Sequence, residues 1–165
     1  MSLSWQVPCI ELLRVLINDL EDTPTYSDAR LIRVLTVAAF QVLRECDFPQ
    51  NFTVDIVASD ITPDPTDEDG GTNNDDFINL MCLKAACIID TGAAIQAANN
   101  ATAGKDTVSS WDLKGVAQHT IDLLSKGYCA TYSSALDDYL SGDGVICAAV
   151  MGPFRTMARS RYPNY

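Results

Sequence analysis

Apolar residues recur at helical spacing as Ile10, Leu13, Ile17 and Leu20, and Pro8 just ahead of them lacks an amide that a first turn leaves unpaired anyway. The spacing predicts a first helix that starts at Pro8 and stops before Pro24. Ser27 then stands where an N-cap is needed, and Leu31, Leu35, Ala38 and Val42 trace one stripe of a second helix that runs to about Cys46. Arg30, Arg33 and Arg44 fall off that stripe and are expected to face water, and Pro49 closes the helix. The intervening Glu-Asp-Thr-Pro-Thr-Tyr is short enough to make the two helices antiparallel neighbours in a helical hairpin.

Between Phe52 and Ala58 the pattern changes to a period of two, with Thr53 and Asp55 alternating with Val54 and Ile56, which predicts a short strand with one wet face. From Asp60 to Asp76 the chain is dense in acids and broken by two prolines and two glycines, so an exposed loop over about 59–76 with a mobile tip is expected. Asp64, Asp67, Glu68 and Asp69 are its candidate functional acids. Asn74 or Asp75 caps a third helix in which Phe77 to Ile89 is apolar at almost every position, Asn79 and Lys84 excepted. A helix apolar all round is a buried central helix. It is expected to fade through an alanine-rich stretch to Asn99, with a second loop, NNATAGKDTVSS, after it.

Ser109 and Asp112 resemble a capping box, and Leu113, Val116, Ala117, Thr120, Leu123 and Leu124 make one face of a fourth helix. Gly127 ends that helix, or else Tyr128, Tyr132, Ala135, Leu136 and Tyr139 continue it with a kink to about Leu140. Ser-Gly-Asp-Gly at 141–144 is a turn, and Val145 to Val150 reads as a short strand. The fold class is therefore mainly α. It comprises a helical bundle over 1–140 with short β segments and an extended acidic loop, then a turn, a strand and an extended arm over 141–165.

The 165 residues, 47% of them hydrophobic, suffice for one buried core and argue for one domain. Eleven Lys and Arg against 22 Asp and Glu leave a net charge of -11, the wrong sign for gripping phosphate or anionic lipid, so sequence-specific DNA binding is not expected. Six cysteines raise the question of disulfides, but the N-terminal residues lack a basic start, a clean apolar stretch and a small-residue cleavage site. The thiols accordingly read as small buried hydrophobes in a reducing compartment, where the Asn51-Phe52-Thr53 and Asn100-Ala101-Thr102 sequons carry no weight. The longest apolar run, Phe77 to Ile89, falls short of the roughly 20 residues that span a bilayer, which predicts a soluble protein without a membrane partner.

Catalytic chemistry finds little footing. His119 is the only histidine, and it lies beside the apolar stripe of the fourth helix with no nucleophile elbow or cysteine motif to pair with. Cys82 and Cys87 are five apart, about 140° round a helix, so they cannot share a metal locally. Asp67, Asp69, Gly70 and Asp76 fit part of a calcium-loop register, but its first position is Pro65 and its closing Glu is an Asp. Gly104-Lys105 lacks the rest of a phosphate loop, and Asp75-Asp76 and Asp137-Asp138 diverge on a helix. No enzyme activity, cofactor or metal is expected.

From Gly152 to Tyr165 the charge reverses, with Arg155, Arg159 and Arg161 and no acid. Arginine and tyrosine are enriched at binding hot spots, so this arm reads either as a docking segment built on Phe154, Arg155, Arg159, Arg161, Tyr162 and Tyr165 or as a frayed terminus. The order of features, IELLRVLINDLEDTPTYSDARLIRVLTVAAFQVLREC, then TVDIVASDITPDPTD, then DDFINLMCLKAACIID with its Leu83-Lys84-Ala85-Ala86 stretch, resembles the head-tail connector or adaptor proteins of tailed bacteriophages over about residues 8–98. The resemblance implies a virion structural protein of the head-tail neck, made in the host cytoplasm. It would form a homo-oligomeric, typically twelvefold ring below the portal protein, extend the DNA channel and join a tail or neck component. Double-stranded DNA would pass without specific binding, and the arm would dock on the portal. Two other readings remain: a different neck or tail-completion protein, such as a stopper or terminator, and an acidic helical module that binds a basic protein.

Overall fold

The helix that the sequence leaves without a polar face is the axis of the fold. In the computed structural model, which describes residues 5–67, 74–103 and 127–141 with 97–103 as backbone alone, it is one of four helices. In chain order the elements are α1 (Gln6–Leu16), α2 (Asp28–Glu45), β1 (Thr53–Asp55), β2 (Asp60–Thr62), α3 (Asp75–Ala103) and α4 (Tyr128–Leu140). The architecture is mainly helical with a two-stranded antiparallel hairpin. Phe77, Leu80, Met81, Cys82, Ala85 and Ala86 of α3 are wholly buried, and α3 packs against α1, α2 and α4. Asn74 starts it: the side-chain oxygen accepts the Phe77 amide at 3.0 Å, satisfying one of the donors a first turn leaves over.

On α2 the stripe expected from the sequence is the buried one, with Leu31, Leu35, Ala38 and Val42 fully covered. Thr36 is buried among them at no polar cost, since its hydroxyl donates to the Ile32 carbonyl at 2.8 Å. Three aromatic rings close the end of the core: Phe52 stacks on Phe77 with centroids 4.4 Å apart, and Phe48 meets Phe77 edge-on at 5.1 Å.

Several expectations are corrected. Helix α1 begins at Gln6, with Pro8 still inside the unpaired first turn, and it ends at Leu16 because Asn18 adopts a left-handed φ of 55°. Leu20, expected on the buried stripe, lies beyond that break and is 64% exposed. The strand expected through Ala58 stops at Asp55, and the segment expected as loop from Asp60 starts with β2, pairing Val54 with Ile61. Ile61 and Pro65 are buried, so the start of this segment belongs to the core. Helix α3 continues through Asn99, where a loop was expected, to Ala103. Its stretch Asp75–Gln96 is long and apolar enough, by length and composition, to cross a bilayer, and much of that apolarity is taken up by packing against the other helices. Gly127 is extended at the N-cap of α4, which therefore starts anew at Tyr128.

Cys87 of α3 and Cys129 of α4 form a disulfide, with Cα atoms 4.6 Å apart across 42 positions of sequence. This overturns the expectation that these thiols are free. The contact between α3 and α4, which spacing alone does not show, brings them together. Cys9, Cys46 and Cys82 are free and buried, as expected of small hydrophobes. The hydrogen bond between Cys82 and Cys9, together with burial, pushes the Cys82 thiol far above its ordinary range and keeps it protonated. The predicted helix over 109–126, the turn and strand over 141–150 beyond Ser141, and Cys147 lie outside the described residues.

Candidate protein-interaction surfaces

The polar link between α1 and α2 is organised by one carboxylate. Asp19, buried at the end of α1, accepts the Thr25 amide at 2.7 Å and the Tyr26 amide at 3.2 Å, and pairs with Arg14 at 2.8 Å. Arg14 also reaches Asp28 at 2.6 Å and the Tyr26 carbonyl at 2.9 Å. Burial alone would raise the Asp19 carboxyl, but the two amides and the guanidinium outweigh it and hold it below the usual aspartate range. A shallow cleft lined by Arg14, Asp19, Leu20, Glu21, Pro24 and Asp28 opens here, and its one cation is already committed to two carboxylates.

A second polar junction joins three helices. Glu45 of α2 takes the Lys84 ammonium of α3 at 2.9 Å on one oxygen and the Tyr132 hydroxyl of α4 at 2.5 Å on the other, while the ammonium sits 4.3 Å from the Tyr132 ring centre. Desolvation works against the Glu45 charge, and the two donors win, lowering its pKa. Burial and the same carboxylate push the Tyr132 hydroxyl well above its ordinary value. The other tyrosines of α4 act similarly as polar handles: Tyr128 donates to the Leu16 carbonyl and Tyr139 to the Asp47 carbonyl at 3.0 Å.

The hairpin presents an apolar tip. Asp55 accepts the Val57 and Ala58 amides at 2.8 and 3.0 Å, Ser59 takes a φ of 56°, and Gln6 donates to the Ser59 carbonyl at 3.3 Å. Val57 is left 97% exposed. Just beyond, Asp64 accepts both the amide and the hydroxyl of Thr66 at 2.8 and 2.7 Å, and the Asn74 amide returns to the Pro65 carbonyl at 3.1 Å. The acidic segment is thus tied at its base, next to the start of α3.

Of the site residues expected from the sequence, Asp64 is half-buried in that tie and Asp67 is exposed beside it. Glu68, Asp69 and the whole arm with Phe154, Arg155, Arg159, Arg161, Tyr162 and Tyr165 lie outside the described residues, as does His119. Among the described residues no group of three or more His, Cys, Asp or Glu side chains converges to hold a metal ion. The sequence reading missed the tip at Ile56 and Val57, because alternation in a strand also places apolar side chains on a covered face. The chain matches no protein-family model, no curated protein and no solved structure.

Proposed function

We propose that this chain is a structural subunit of a tailed-phage particle. Within that class the reading is the head-tail connector adaptor, a ring beneath the portal protein that extends the DNA channel and receives the tail component. The observation that carries it is the architecture: a helical hairpin with a tied acidic link, followed by a largely apolar helix that packs against the other three described helices. That is the order of features on which the resemblance rests. The predominance of helix weighs toward an adaptor over a stopper or terminator, which are richer in β structure.

A net charge of -11 suits a channel wall, because like charge repels passing phosphate and leaves little cation to release counterions. The basic, aromatic segment from Phe154 to Tyr165 is the portal-docking element in this reading, and many equivalent weak contacts around a ring add up to firm attachment.

The test is quantitative mass spectrometry of purified particles, counting this chain against the portal protein. Near-equal copy numbers are expected; absence from the particle overturns every virion role and leaves an acidic module for a basic partner. Deleting residues 153–165 is expected to abolish portal attachment while leaving the far-ultraviolet circular dichroism unchanged, and a truncated chain that still binds moves the contact elsewhere.

A further inference from the structure

Helix α2 turns a narrow stripe away from the bundle: Arg30, Arg33, Val37, Phe40 and Arg44, alternately three and four residues apart and all exposed. The Arg44 guanidinium lies 5.8 Å from the Phe40 ring centre and that of Arg30 lies 4.7 Å from the Tyr26 ring centre. Among the described residues Arg14 and Lys84 are held in ion pairs, whereas these three arginines pair with no carboxylate. On a chain of net charge -11, the described cations left without an acid all lie on one stripe with an apolar centre.

Helix α1 carries the opposite surface. Val7, Glu11, Leu12 and Val15 share its outer side, with Val15 60% exposed and Glu11 bearing the charge, and the link that follows adds exposed Glu21 and Asp22. An apolar centre flanked by arginines is poorly matched to a phosphate backbone, which offers Val37 and Phe40 nothing to cover them. It is well matched to a helix that is itself apolar and flanked by acids. The same chain supplies that helix. Pairing the two faces head to tail leaves one of each kind open at the ends and adds copies in one direction.

We infer that the α2 stripe of one copy seats against the outer face of α1 in the next, head to tail. The contact deepens the ring reading, and rests on it for closure of the ring. It is tested in solution without the portal, so that its failure and the failure of the adaptor reading are separate results.

The experiment is analytical ultracentrifugation and native mass spectrometry of the full chain at high micromolar concentration and low salt. Two variants change exposed positions only: Arg33→Glu with Arg44→Glu, and Glu11→Lys with Val15→Lys. The wild type is expected to assemble beyond a dimer, and each variant alone to associate at least about tenfold more weakly while keeping its circular dichroism. Mixed together, the two variants retain one intact face each, and the exchanged charges on their other faces are again opposite in sign, so at least a dimer is expected. A wild type that stays monomeric overturns the contact, as do variants that assemble like the wild type or a mixture that forms no dimer. None of these results alters the copy number in particles that tests the adaptor reading.

Discussion

Replacing Cys87 and Cys129 together by alanine opens a loop that spans 42 positions, and the expected cost follows from that length. In the chain-entropy account, closing such a loop lowers the entropy of the unfolded chain by about 13 cal/mol/K, which is about 4 kcal/mol at 25 °C. Both side chains are half-buried, so losing two sulfur atoms adds only a minor packing cost. A chain of 165 residues unfolds with an entropy near its midpoint of about 0.35 kcal/mol/K, so the loss corresponds to a Tm lower by about 10 °C. The assay is urea and thermal unfolding of oxidised wild type and the double variant, each with and without reductant. The wild type should fall by the stated amount when reduced, and the variant should be indifferent to reductant. Its urea slope should also be steeper, because the unlinked unfolded chain exposes more surface. Equal midpoints for oxidised wild type and variant would refute the reasoning, as would non-reduced peptide mapping that finds no link between Cys87 and Cys129.

Two further predictions concern the core and the link. Phe77→Ala removes a wholly buried ring that stacks on Phe52 and meets Phe48 edge-on, and should cost about 3 to 5 kcal/mol in urea unfolding, with Phe77→Leu well below that; equal effects would mean that the ring contacts contribute nothing. Asp19 has a lowered pKa in the folded chain, so its contribution is complete above the unfolded value of about 3.9 and is lost as the pH falls through the folded value. Amide exchange at Thr25 and Tyr26 should therefore accelerate in that acid range and be already fast at neutral pH in Asp19→Asn; protection unchanged by either perturbation contradicts the assignment.

What the sequence made legible was burial with a regular period. The α2 stripe, the central place of α3 and its Asn74 cap follow from spacing, since a helix fixes which residues share a face. What it hid depended on single backbone states and on partners distant in the chain. The left-handed Asn18 ends α1 one turn before the apolar period does, which is why Leu20 looked like core. Ile61 sits among prolines and acids yet pairs with Val54, because a hairpin needs only a turn at 56–59 to fold it back. The disulfide needs α3 and α4 side by side, a tertiary fact with no local signal. The interaction surfaces were half legible: the arginines off the α2 stripe were expected in water, but the apolar pair between them and the opposite face on α1 emerge only once exposure is known.

The junction of Glu45, Lys84 and Tyr132 has an evolutionary consequence. One carboxylate serves donors from two other helices, so changing Glu45 alone leaves the Lys84 charge and the Tyr132 hydroxyl without their acceptor, and changing either donor strips one carboxylate oxygen of its partner. Substitutions there are constrained to arrive together. In lineages too diverged for overall identity to register, these three positions, one on each of three helices, should vary as a set. Such coupled change is a fingerprint by which distant kin of this bundle can be recognised.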